Sequence, residues 1–88
     1  MIYRVEFTKN TLKKLKKLDK QTAALIIGWI EKNLEGTENP ILRGKALVGT
    51  FSDAWRYRVG DYRLICKIEA DKLIILVLEI GHRKEIYK

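Results

Sequence analysis

The chain contains little of the side-chain chemistry on which metal sites and disulfides depend. Its 88 residues include one cysteine and one histidine. A single cysteine cannot form an internal disulfide, and no C-x-x-C pair is present to hold a structural metal. We therefore expect neither a metal nor another cofactor. Cys66 lies in an alternating apolar run, and we interpret it as a buried core thiol rather than a nucleophile.

Long apolar runs are also missing. The longest apolar stretch that we interpret as a buried strand, Leu73 to Leu78, has six residues, whereas a membrane-spanning helix needs roughly 18. The first residues, MIYRVEF, lack the layout of a signal peptide. We expect a cytoplasmic protein with no membrane partner. The length predicts a single domain over residues 1–88, small but able to bury one core.

Acidic residues are scarce relative to basic ones. There are 18 lysines and arginines against 11 acids, which gives a formal net charge of +7. Such a field favours nucleic acid, an acidic protein or an anionic surface as partner, without choosing among them. Much of the excess lies in the first 20 residues. Lys13, Lys16 and Lys17 fall opposite a leucine stripe there, which is either an ordinary solvated helix face or a binding surface.

The most informative stretch is WRYRVGDYRLICKIE, from Trp55 to Glu69. Two alternating runs flank Gly60-Asp61, a pattern that predicts a β-hairpin with a type II′ turn. The turn fixes the register and places Arg58 directly opposite Arg63. Like charges so placed destabilise a sheet, and a local cost of this kind is often tolerated at functional sites. The arginine face is therefore either a phosphate site or a solvated surface.

The remaining patterns predict an α+β fold with the order β-α-α-β-β-β. A short strand at residues 2–7 precedes a helix capped by Thr8 and a second helix over about 21–35. We expect Leu25 and Trp29 to pack on the leucines of the first helix, or to form an apolar patch for a partner. Residues 41–50 are predicted to be a connection over the sheet edge. The strand from residue 72 to 80 is expected to be central and to end at Gly81.

Together these elements predict a four-stranded antiparallel sheet with a two-helix hairpin on one face. The order of elements, the segment LRGKALVG, the W-R-Y-R-V and Y-R-L hairpin strands and the terminal G-H-R-K-E-I-Y resemble the RelE branch of the RelE/ParE superfamily. The resemblance implies a toxin of a bacterial type II toxin–antitoxin system. It also implies an mRNA interferase that cleaves mRNA in the ribosomal A site, without a metal, by attack of the RNA 2′-OH.

The resemblance also implies functional residues and a cognate antitoxin. The implied catalytic residues are Arg56, Arg58, Arg63, Arg83 and Tyr87, and the implied RNA- or ribosome-binding residues are Lys13, Lys16, Lys17, Lys45, His82 and Lys84. The well-known form of the family has lysines where this chain has Arg56 and Arg58, and an arginine is a poor general base. Two alternatives stay open: a ParE-like toxin that acts on DNA gyrase, and an inactive antitoxin-binding module.

Overall fold

A computed structural model describes residues 1–46 and 54–82. The elements are β1 Arg4–Phe7, α1 Lys9–Lys17, α2 Lys20–Asn33, a 3₁₀ turn Pro40–Arg43, β2 Gly44–Ala46, β3 Ala54–Val59, β4 Tyr62–Glu69 and β5 Ile74–His82. The predicted α+β order, with two helices between the first strand and an antiparallel meander, is confirmed. None of the helices in the described ranges is long and apolar enough to cross a membrane.

The sheet has five strands rather than the four expected, in the order β1-β5-β4-β3-β2. The fifth strand, β2, lies in the segment that we expected to be only a connection. Its three residues, Gly-Lys-Ala, carry no alternating apolar signal, so only the ladder to β3 makes them a strand. The expected all-antiparallel sheet is also wrong, because β1 pairs with β5 in parallel. The chain between the two strands includes both helices and strands β2 to β4, so it is long enough for the connection that parallel pairing needs.

Side chains from both helices and one face of the sheet form the core. It includes Leu15 of α1, Ile26 and Ile30 of α2, and Tyr57 and Leu64 of the hairpin. Leu25 is 56% exposed, and Trp29 packs on Tyr57 with the ring centroids 5.8 Å apart. The expectation that Leu25 and Trp29 pack on the first helix is therefore wrong. The helices bury their apolar stripes against the sheet, so the outer face of α2 keeps exposed apolar groups.

A β-bulge in β5 shifts the alternation of buried side chains along that strand. Ile65 pairs with Glu79 while Cys66 pairs with Val77, which leaves Leu78 as the extra residue. A bulge reverses the alternation, so both Val77 and Ile80 are buried. Gly81 does not end the strand as predicted, since the ladder continues to His82.

Helix α1 is anchored at this bulge through a threonine. The Thr11 hydroxyl donates to the Val77 carbonyl oxygen at 2.9 Å, and its side chain is only 2% exposed. The Thr11 backbone N–H in turn donates to Thr8 Oγ1, the predicted N-cap, at 3.2 Å. The helix start and the strand irregularity are thus fixed to each other.

Candidate phosphate-binding site

The hairpin register predicted from the sequence is confirmed. Arg58 lies opposite Arg63, Tyr57 opposite Leu64, and Arg56 opposite Ile65. Gly60 has a φ of +60°, the conformation that the first central position of a type II′ turn requires. Because successive side chains alternate between faces, the three arginines share the face turned away from the helices.

The turn itself moderates the repulsion between the two facing arginines. Arg58 Nε and Arg63 Nη1 each lie 3.5 Å from the Gly60 carbonyl oxygen. Arg63 Nη1 also donates to the Tyr62 carbonyl oxygen at 3.2 Å. Arg63 is only 9% exposed, whereas Arg58 is exposed. The carbonyl dipoles therefore fix one guanidinium at the base of the site and steady the other at its entrance.

These arginines line a concave site of about 370 Å³. Its lining consists of five cationic residues together with two uncharged ones, and no acid of the described ranges contributes to it: Leu42, Arg43, Gly44, Lys45, Arg56, Arg58 and Arg63. Cations that converge on one concavity create a positive potential there, which attracts phosphate. The arrangement suits an RNA backbone.

Arg43 is the lining cation that the sequence reasoning missed. It ends the 3₁₀ turn, directly before β2. Arg43 and Lys45 are two residues apart and fall on the same face only once Gly44–Ala46 is recognised as a strand. Lys45, expected to bind RNA, pairs with Arg56 across the β2–β3 ladder.

The segment that carries these two cations is held closely against the hairpin. A Cβ on Gly44 would collide with the Arg56 carbonyl oxygen and the Trp55 indole, so only glycine permits this approach. The Tyr57 hydroxyl donates to the Pro40 carbonyl oxygen at 2.6 Å. Burial raises the pKa of this phenol above its usual range, so the hydroxyl remains a donor.

The structure does not bring all the predicted site residues together. Arg56, Arg58, Arg63 and Lys45 share the concave site. Lys13, Lys16 and Lys17 are exposed on α1 and contribute nothing to its lining. His82 packs edge-on against Tyr62, with ring centroids 5.5 Å apart, and does not line the site either. Arg83, Lys84 and Tyr87 lie outside the described residues.

Cys66 has the structural role that its position predicts. It is fully buried in the core and unbonded to another cysteine. Burial raises the pKa of its thiol to about 12, so it stays protonated and unreactive in the native state.

Comparison with known proteins decides the family. The family model described as ParE toxin of the type II toxin–antitoxin system parDE matches residues 5–87. The chain belongs to this toxin family. It is 28% identical over 88 residues to toxin RelG of Mycobacterium tuberculosis, covering all of this chain and 99% of RelG.

Solved structures agree with this assignment. The RelBE2 toxin–antitoxin complex of Mycobacterium tuberculosis contains a chain that matches with a TM-score of 0.84 and 27% identity, over 94% of both chains. The archaeal RelE–RelB complex of Pyrococcus horikoshii matches with a TM-score of 0.74 and 29% identity, over 94% of this chain and 97% of that one. The protein is thus a type II toxin of the RelE/ParE superfamily with a RelE-like fold.

Proposed function

We propose that this toxin is a ribosome-dependent mRNA endoribonuclease that cleaves A-site mRNA and so stops translation. The observation that carries the proposal is the concave site in which Arg58 and Arg63 face each other beside Arg43, Lys45 and Arg56. A toxin that acts only by binding a protein has no evident need for a guanidinium pair held at like-charge distance. A phosphate group that is being transferred between two oxygens gains negative charge, and a guanidinium pair would stabilise that charge.

The proposed reaction is an internal transfer at phosphorus. The RNA 2′-oxygen attacks the adjacent phosphorus, the bond to the 5′-oxygen breaks, and the products are a 2′,3′-cyclic phosphate and a 5′-hydroxyl. Negative charge increases on the phosphate oxygens during the step. Arg63, fixed by two carbonyl contacts, suits the stabilisation of that charge, because a preorganised donor needs no reorganisation as the charge develops. Arg58 and Arg83 are proposed to assist it.

Two protons must also move. The leaving 5′-oxygen requires one, and Tyr87 is the proposed donor. The 2′-oxygen must lose one, and the arginines of the lining do not act as a base. We propose that a group of the ribosome–mRNA complex accepts this proton, which agrees with a requirement for the ribosome, and His82 is the alternative acceptor within this chain. Lys13, Lys16 and Lys17 on α1, with Lys84 and His82, are proposed to contact ribosomal RNA.

A cognate antitoxin is the proposed protein partner. Two structural relatives are toxin–antitoxin complexes. The net charge of +7 favours an acidic inhibitor, which would associate rapidly by electrostatic steering. The exposed Leu25 on α2 offers apolar surface for an amphipathic segment. Co-purification with the product of the neighbouring small open reading frame tests this partner.

The decisive test is primer extension on a reporter mRNA in a translating extract, repeated with translation blocked. We expect cuts at A-site positions that disappear when translation stops. Arg63→Gln should abolish them, while Lys67→Gln, on the same hairpin but outside the lining, should cut normally.

Uncut mRNA from the folded wild-type toxin would refute the nuclease. The family description as ParE toxin keeps DNA gyrase as the second candidate target. Accumulation of double-strand DNA breaks in cells that express the toxin, without loss of mRNA, would establish that alternative.

A further inference from the structure

One buried residue links the core to the cationic site. Tyr57 is completely buried, and it contacts the segment 40–46 at two points. Its backbone pairs with Gly44 in the β2–β3 ladder, and its hydroxyl donates to the Pro40 carbonyl oxygen at 2.6 Å. The three residues between these anchors end with Arg43, and Lys45 follows directly after the second anchor.

From this arrangement we propose that Tyr57 is a positioning residue that sets the location of Arg43 and Lys45 in the phosphate-binding site. This inference rests on the proposed function for its ligand, RNA phosphate, and goes beyond it in assigning a role to a residue that does not touch the site.

Several features of the contact support a specific role. The hydrogen bond joins a side chain to backbone across 17 positions of the chain and is buried, so water does not replace it readily. The Tyr57 ring is backed by Trp29 on α2, which prevents the phenol from following the turn if the turn moves. Pro40 is itself buried, and its ring fixes φ at the start of the turn. The anchor is therefore rigid on both sides.

The rest of the segment has weak support of its own. The 3₁₀ turn spans four residues and β2 three, and such short elements are marginal without tertiary contacts. Ile41, Leu42 and Arg43 are exposed, so their side chains add little packing. Loss of the Tyr57 hydroxyl should therefore loosen this segment before it affects the β4–β5 ladder.

Tyr57→Phe removes the hydroxyl and retains the buried ring. Tyr3→Phe is the matched control, since it removes a phenol from the same core without touching the bond to Pro40. The probe is a fluorescein-labelled 12-nucleotide single-stranded RNA with 2′-O-methyl groups, which cannot be cleaved. Binding is followed by fluorescence anisotropy between 25 and 200 mM KCl, using wild type, both phenylalanine variants, Arg43→Gln/Lys45→Gln, and the triple variant with Tyr57→Phe.

We expect Tyr57→Phe to bind about threefold or more weakly at the lowest salt and to show a smaller salt slope. Each phosphate contact with a single strand contributes about 0.7 to that slope, so loss of Arg43 and Lys45 together removes at most about 1.4. In the Arg43→Gln/Lys45→Gln background, Tyr57→Phe should add no further loss, because its effect is transmitted through these two cations. A merely structural role would lower the amount of folded protein and leave the salt slope of the folded fraction unchanged.

A second measurement is independent of RNA. Native-state amide exchange by mass spectrometry should show faster exchange over residues 40–46 in Tyr57→Phe, with β4 and β5 unchanged and Tyr3→Phe like wild type. The inference would be overturned if Tyr57→Phe bound the RNA as tightly as wild type with the same salt slope, or if Tyr57→Phe weakened binding further in the triple variant. Either result would leave the proposed function intact. Failure of wild type to bind the RNA would count against phosphate binding by the free toxin, and the ribosome-dependent cleavage would still be decided by primer extension. The exchange result would then decide alone, and unchanged exchange over 40–46 would refute the positioning role.

Discussion

The facing arginines predict that removal of the Arg58 charge raises the stability of the fold and lowers the activity. Arg58 Nε and Arg63 Nη1 are each 3.5 Å from one carbonyl oxygen, so the two nitrogens are no more than 7 Å apart. Two unit charges at about 7 Å repel by about 0.6 kcal/mol at the dielectric constant of water and about 2.4 kcal/mol at an effective value of 20. Replacement of Arg58 by glutamine keeps much of the stem and removes the charge.

We expect Arg58→Gln to be more stable than wild type by about 0.5 kcal/mol in 20 mM salt. We use the repulsion energy at the dielectric constant of water because Arg58 is exposed. The hydrogen bond that the variant loses, from Arg58 Nε to the Gly60 carbonyl oxygen, is long at 3.5 Å, so its loss offsets little of the gain. For a domain of this size, that gain raises Tm by roughly 2–4 °C. At 1 M salt the Debye length falls to about 3 Å and the difference should vanish. The same variant should lose most of its mRNA cleavage in the translating extract.

Urea unfolding followed by circular dichroism measures the gain, and Lys67→Gln is the control. Lys67 is exposed on the same hairpin and lies 3.8 Å from Glu69, so its removal lowers the net charge equally without relieving a like-charge pair. It should give no stabilisation. If Arg58→Gln is less stable than Lys67→Gln at low salt, or if its gain persists at 1 M salt, the argument that the pair is held together against repulsion is wrong.

The remaining predictions concern Thr11, Gly44 and Cys66. Thr11→Val keeps the shape but removes the shorter of two hydrogen bonds to the Val77 carbonyl oxygen, which still accepts from the Thr8 backbone N–H at 3.3 Å. It should therefore lower the free energy of unfolding by about 0.5–1.5 kcal/mol in urea titrations, whereas Thr11→Ser keeps the bond. Gly44→Ala forces a Cβ into the Trp55 indole and the adjoining backbone and should cost about 1–3 kcal/mol, visible as a lower Tm. Cys66 should resist iodoacetamide at pH 8 unless urea is added. Its raised pKa also means that stability is fully present below about pH 8.5, the unfolded pKa, and falls by up to about 1.4 kcal/mol per pH unit above it, towards pH 12.

Local sequence patterns were sufficient to predict the features that depend only on neighbouring residues. The Gly60-Asp61 turn fixes the hairpin register by itself, so Arg58 and Arg63 could be paired from the sequence. Thr8, the predicted N-cap of the first helix, accepts from the backbone N–H of Thr11, three residues ahead. Neither inference required knowledge of the rest of the fold.

The pairing of strands that are distant in sequence could not be predicted from local patterns. The parallel pairing of β1 with β5 depends on how the helices cross the sheet, and strand order along the chain does not specify it. Strand β2 has no periodic signal because it spans only three residues and includes Gly44, whose backbone lies too close to Trp55 for a side chain. Since β2 was not predicted, Arg43 was not placed on the arginine face.

The added strand changes what the site can hold. With the hairpin alone, Arg56, Arg58 and Arg63 would be the only cations on this face. The 3₁₀ turn and β2 add Arg43 and Lys45 beside them, with Lys45 directly opposite Arg56, and the five cations together line the concavity of about 370 Å³. If the proposed function is correct, an RNA backbone would lie with its phosphates among these five cations. Since the proposed cleavage requires the 2′-oxygen, the phosphorus and the 5′-oxygen to be in line, Arg43 and Lys45 would then help to set where the RNA backbone lies as well as how strongly it binds.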